Sequence, residues 1–269
     1  LATWNKMILR MLSLTFFMCG FAQIALAADI TLIECSDFKC LPYSGFLRIE
    51  GELKETDAAL AASVYASRKK ADGQYVVFIK SPGGSVEGGI ALGDWVRQEK
   101  LGVSVAEEDV CYSACIYVLA GGVMRWPNGK IGIHRPFFEK AEAADIAVGL
   151  RVLEDKSEEF FHRVNIPEQL SQHMFSVLPE NLHILTKDEL QKYRLDQQDI
   201  VEAEIQANKE ATRLGLSRLE YNKRLGLMRS SGILEYCQSL KGDKQMACNL
   251  TAMQQFGLLL PTPGNSDTE

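Results

Sequence analysis

The sequence predicts an α/β protein built on a parallel sheet, and three observations carry that prediction. A continuous apolar run, Tyr75-Val76-Val77-Phe78-Ile79, leads into Ser81-Pro82-Gly83-Gly84, as a buried parallel strand entering a tight turn does. Strand-like and helix-like stretches alternate from about residue 46 to residue 133, the spacing of right-handed crossovers. Beyond Phe138 the periodicity becomes helical, so a helical segment follows the sheet-forming part.

Taken in order, Phe46-Leu47-Arg48-Ile49-Glu50-Gly51 alternates as a half-buried strand does, and Thr56 to Lys69 reads as an Ala-rich helix capped by Thr56-Asp57. The apolar strand at 75–79 follows, then a helix from Val86 to Gln98 and a short strand, Val103-Ser104-Val105. Ala114 to Ala120 reads as a small-residue helix that can be buried, and Ile131-Gly132-Ile133 as a short strand. Helices are expected over Ala141 to Val164 and Pro167 to Phe175. Thr186 to Glu189 forms a capping-box pattern that opens another. Val201 to Phe256 reads as amphipathic helices, and Pro261 to Glu269 as a disordered tail.

The N-terminus points to export. Lys6 and Arg10 precede an apolar run from Met11 to Ala27, and Ala25-Leu26-Ala27 has the small-x-small form of a signal-peptidase site. The expectation is a signal peptide over 1–27, with an uncleaved anchor as the alternative. The run is somewhat short of the ~20 residues that span a bilayer. Phe17-Met18 lack the small side chains that a lipoprotein site at Cys19 needs. The domains expected are thus 28–200 for the α/β unit, 201–260 for a helical extension and 261–269 for the tail. The net charge of −6 becomes −8 without Lys6 and Arg10. With no basic run, this excludes an electrostatic case for nucleic acid.

Cysteine usage agrees with export to the periplasm. Of seven cysteines, six follow the signal segment, in close pairs: Cys35/Cys40, Cys111/Cys115 and Cys237/Cys248. An even count in an oxidising compartment reads as disulfides, with local pairing favoured among fifteen connectivities. No histidine lies at ligand spacing from any pair, so no metal and no cofactor are expected.

Three segments carry chemistry in combination. Ser81-Pro82-Gly83-Gly84 taken alone is a tight turn, yet its glycines can also aim backbone N–H groups at a developing negative charge. Ser113, within Cys111-Tyr112-Ser113-Ala114-Cys115, reads as a helix cap or as a nucleophile at a strand-to-helix turn. His134 follows a strand and precedes Pro136, which puts an imidazole at a strand end, where open sheets gather their active sites. Nucleophile, base and oxyanion donors are the parts that acyl transfer requires.

From about Phe46 to Leu195 the chain resembles the Clp protease proteolytic subunit (ClpP) and its relatives in the ClpP/crotonase superfamily. The resemblance rests on Phe78 to Gly84, Ser113 with Gly121-Gly122, Pro127-Asn128, Ile133 to Pro136, and Leu185-Thr186 leading to Tyr193-Arg194-Leu195. It implies a spiral of ββα units and assembly into homo-oligomeric rings. It also implies a Ser113 nucleophile, a His134 base and an oxyanion hole from the Gly84 and Ala114 amides. The substrate class implied is peptides or unfolded protein segments. An exported relative has no ATPase partner, since the periplasm lacks ATP. An acyl-thioester enzyme would leave Ser113 without a task, and the Ile133-His134 match argues against a Ser-Lys peptidase. A catalytically inactive binder of peptides or a partner is the alternative function.

Two departures from the family stand out. The interval from Ser113 to His134 is a few residues shorter than usual, implying a trimmed loop around Arg125-Trp126. The family's triad aspartate falls at Leu182, with Asn181, His183 and Glu180 nearby. An asparagine can orient a histidine but offers no charge to the imidazolium.

Overall fold

The structure, a computed structural model, describes residues 28–35, 43–70, 73–138 and 142–259. The expected signal peptide, Cys40, residue 141 and the C-terminal tail lie outside the described residues. Among the described residues, no helix is long and apolar enough to cross a membrane.

The class is α/β, with two sheets. The larger runs in the order β1 (Asp29–Glu34), β2 (Gly45–Glu50), β3 (Tyr75–Lys80), β4 (Gly102–Val105) and β6 (Arg125–Pro127). It is parallel except for the β1/β2 edge pair. The smaller sheet holds β5 (Val110–Tyr112), β7 (Lys130–Ile133) and β8 (His183–Ile184), with β5 and β7 parallel and β8 antiparallel. The sheets are stitched where β3 ends. Ser81 N–H donates to the Val110 carbonyl at 2.9 Å, and Tyr112 N–H donates to the Ser81 carbonyl at 3.0 Å.

Helices α1 (Asp57–Ala66), α2 (Val86–Gln98) and α3 (Cys115–Gly121) follow β2, β3 and β5. Helix α1 ends three residues short of expectation. Thr56 is its N-cap but makes no side-chain cap bond. The Asp57 carboxylate instead accepts from the Lys54 N–H at 2.8 Å. Every residue of α3 is buried, as its small apolar composition predicts. Helices α4 (Ala143–Arg163), α5 (Gln169–Ser176) and α6 (Lys187–Lys192) close the unit, and Thr186 caps α6 with the full reciprocal capping box.

The region around Arg125-Trp126 is not a trimmed loop but β6, paired with β4. Arg125 has a side chain 1% exposed, facing the fully buried Asp199 at 3.6 Å. Its Nε and Nη2 donate to the Ala120 carbonyl, with further bonds to the Arg194 and Val164 carbonyls. Arg97 approaches the same carboxylate at 3.3 Å and Asn165 donates to it. Burial, with Arg97 alongside, pulls Arg125 down to about 10, against the pull of Asp199. Asp199 in turn caps α7 (Ile200–Arg213) by accepting from the N–H groups of Val201 and Glu202.

Helices α8 (Arg218–Ser230), α9 (Ile233–Gln238) and α10 (Asp243–Gln255) follow. Their apolar residues form a cluster of their own, centred on Met228, Ala252 and Leu258, apart from the main core. The Cys237–Cys248 disulfide ties α9 to α10, and Cys111–Cys115 is also bonded. Cys35 is in a disulfide, and its expected partner Cys40 lies outside the described residues.

Candidate active site

Ser113 occupies the turn between β5 and α3, one residue before the N-cap Ala114. Its φ of 53° is left-handed, a conformation that costs a non-glycine residue roughly 1–2 kcal/mol. Such strain persists only where the surroundings impose it. Here the Ser113 N–H donates to the Gly132 carbonyl of β7 at 2.9 Å, the Ser113 carbonyl accepts from Ile116, and the Cys111–Cys115 bridge spans the turn. A serine on a strained strand-to-helix turn is the arrangement of a nucleophile elbow.

The Ser81–Gly84 turn leans on this elbow. Gly83 (φ 107°) sits so close that a Cβ there would lie 2.7 Å from the Ser113 Cβ and 3.2 Å from the Ala114 nitrogen. Gly84 (φ 139°) would drive a Cβ to 2.3 Å from the Leu53 carbonyl oxygen. Only glycine fits either position. The Ser81 hydroxyl fixes the turn internally by accepting from the Gly83 N–H at 3.0 Å. Among the described residues, the N–H groups of Gly84 and Ala114 donate to no protein acceptor.

His134 stands just past the end of β7. Its Nδ1 lies 2.8 Å from the Arg135 carbonyl oxygen. A carbonyl can only accept, so Nδ1 is the donor of this contact, and the neutral ring in this tautomer carries its lone pair on Nε2. Ser113 and His134 line one cleft of about 420 Å³ with Gly83, Gly84, Glu52 and Glu87, and with an apolar wall from Pro136, Phe137, Phe138 and Leu153. No hydrogen bond joins Ser113 directly to His134 among the described residues. Ser113, His134 and Gly84 therefore line one cleft, with Ala114 beside Ser113 in the chain, although 50 residues separate Gly84 from His134.

Among the described residues, no carboxylate makes a hydrogen bond or ion pair with His134. Glu180, Asn181 and Leu182 are exposed. Leu182 packs its Cδ1 toward Gly132, which has room for no Cβ. His183 places its Nε2 at 2.9 and 3.1 Å from the two Glu189 oxygens. His173 on α5 joins them, its ring 4.7 Å from that of His183 and its Nδ1 2.8 Å from the Tyr193 hydroxyl. Burial, reinforced by His183, holds the His173 imidazole below its ordinary range. Partial burial pushes the Glu189 carboxyl up, but the Thr186 N–H and hydroxyl and the His183 ring outweigh it and bring Glu189 to about 2.

Sequence reasoning missed this His/His/Glu group, because residues 173, 183 and 189 follow no metal-binding spacing. It also missed the cleft's apolar wall, although Phe137-Phe138 beside His134 was the available signal.

An elbow serine, a strand-end histidine and a Gly-Gly turn in one cleft narrow the choice of relatives, and the comparisons agree. The chain is similar over 105 residues, at 29% identity, to the ATP-dependent Clp protease proteolytic subunit of Pleurastrum terricola. That segment is 37% of this chain and 54% of the relative, so the match spans about half of the relative's length. The sequence pattern of the Clp protease family matches residues 41–195, more than half of the chain and the whole of the cleft. The chain belongs to the Clp protease family.

Proposed function

We propose that this protein is an exported, ATP-independent serine peptidase that cleaves peptides or flexible protein segments through a Ser113 acyl-enzyme. Family membership supports a serine-peptidase-like activity. What supports the residue roles is that Ser113, His134 and Gly84 line one cleft, with Ala114 next to Ser113 and the N–H groups of Gly84 and Ala114 unpartnered among the described residues. In this reading a substrate carbonyl enters between those N–H groups, which stabilise the oxyanion as it forms. Nε2 of His134 takes the Ser113 proton, the Ser113 oxygen bonds to the carbonyl carbon, and the same proton passes to the leaving amine. Water then repeats the sequence in reverse to free the acid. The Arg135 carbonyl serves in place of the triad acid, holding the ring tautomer but lending less charge to the imidazolium. The apolar wall of Phe137, Phe138 and Leu153 suits an apolar substrate side chain. The disulfides support an oxidising compartment.

That no described carboxylate pairs with His134 favours a second reading, an inactive family member whose cleft binds peptides. A fluorophosphonate probe separates the two. Labelling that disappears in both Ser113→Ala and His134→Ala supports the peptidase. Absence of labelling in the wild-type protein, or labelling that survives Ser113→Ala, overturns it.

A further inference from the structure

We propose that His173, His183 and Glu189 form a binding site for a divalent transition-metal ion of the zinc type, separate from the serine chemistry. One ligand atom from each of the three residues lies within 4.8 Å of the other two. His183 Nε2 is 2.9 Å and His173 Nδ1 3.9 Å from Glu189 Oε1. Tetrahedral zinc with bonds of ~2.0–2.1 Å separates its ligand atoms by roughly 3.3 Å, so these spacings bracket what the ion needs. Small side-chain rotations close the difference.

Three features argue that this is a site rather than a chance meeting. Two of the chain's four histidines converge here from different elements, α5 and β8, and the carboxylate comes from a third, α6. The donor set, two imidazoles and one carboxylate, is one that zinc takes with a fourth position left for water. The carboxylate is also oriented from behind: Glu189 Oε2 accepts from the Thr186 N–H at 2.8 Å and from the Thr186 hydroxyl at 2.9 Å, leaving Oε1 turned toward the rings. Outer hydrogen bonds of this kind are what hold metal ligands in place. The Tyr193 hydroxyl, 2.8 Å from His173 Nδ1, gives up that contact to the ion and stays close enough to bond a metal-bound water.

The position gives the ion a task. His183 pairs with Ile133 across the β7/β8 ladder, and Ile133 is the residue before His134. An ion bridging α5, β8 and α6 clamps the strand that flanks the imidazole of the active cleft. The site is thus a structural clasp on the cleft, and its ligands do not touch the reacting atoms.

The test is zinc binding by the full chain, stripped with a chelator and titrated with zinc against a chromophoric competitor. One zinc per chain is expected. Affinity should fall at least about 100-fold in both His173→Ala and His183→Ala, and in Glu189→Gln, which keeps the helix cap, by about 10-fold or more. Ser113→Ala and His134→Ala should bind as the wild type does, and cobalt(II) should show the visible bands of a four-coordinate site. Circular dichroism confirms that each variant is folded. Failure of the wild-type protein to bind stoichiometrically, affinity unchanged by His183→Ala, or loss of binding in His134→Ala would each overturn the proposal.

Discussion

Replacing Asp199 by alanine should produce the largest loss of stability of any single side-chain change outside the apolar core. The substitution strips the buried carboxylate from Arg125, whose side chain is 1% exposed, and from Arg97, which is 19% exposed. Removing one member of a buried ion pair costs about 3–5 kcal/mol. The low end applies here, because Arg125 keeps the Ala120, Arg194 and Val164 carbonyls and Arg97 reaches some water. Loss of the α7 cap adds about 1 kcal/mol. A total near 4 kcal/mol lowers the melting temperature of a domain of this size by roughly 8–16 °C. Asp199→Asn keeps the cap and loses only the charge, so it should fall between alanine and wild type. Thermal and urea unfolding followed by circular dichroism reads both.

The stabilisation by Asp199 also depends on pH. Burial pushes the Asp199 carboxyl up, but the Glu202 N–H, Asn165 and the two arginines outweigh it, so the folded-state value lies below the ordinary carboxylate range. Its contribution is therefore complete above that range and lost as the pH falls through the folded value. The gap between wild type and Asp199→Asn should narrow in acid and be constant near neutrality. An alanine variant within about 1 kcal/mol of wild type would refute the reasoning.

Further outcomes are expected. Ser113→Ala should abolish peptide hydrolysis by at least about 1,000-fold, measured on a fluorogenic peptide. Ser113→Gly should be equally inactive yet more stable than Ser113→Ala by about 0.5–1 kcal/mol, since only glycine relaxes the left-handed φ. Gly84→Ala should reduce hydrolysis about 100-fold or more and also lower the melting temperature, as its Cβ would collide with the Leu53 carbonyl. The Cys111→Ala/Cys115→Ala double variant should lose about 2 kcal/mol, the closure entropy of so short a loop, while remaining folded.

How much of this was legible in the sequence depended on how local each signal is. The strand at 75–80, helix α2 and the Thr186–Glu189 capping box announce themselves, because the residues that make each structure are the residues that signal it. The serine, histidine and glycine turn were legible for a different reason: each is anchored to a strand end, and strand ends converge in a parallel sheet. Strands β5, β6 and β8 were not legible. They are two or three residues long and exist through their partners, and Arg125 in β6 reads as a loop residue until Asp199, far along the chain, neutralises it. The His173, His183 and Glu189 cluster was hidden likewise, its members held together by packing of α5, β8 and α6 and not by any spacing.

The acceptor facing the imidazole of His134 belongs to the main chain at position 135. Every residue type carries that oxygen, so no point substitution at 135 deletes it, and alanine scanning passes over it in silence. A survey of acidic side chains alone would overlook an atom that is always present. What can disturb it is the path of the backbone, which Pro136 helps to set. Ring geometry here is thus protected from mutation at the acceptor and sensitive to its neighbour.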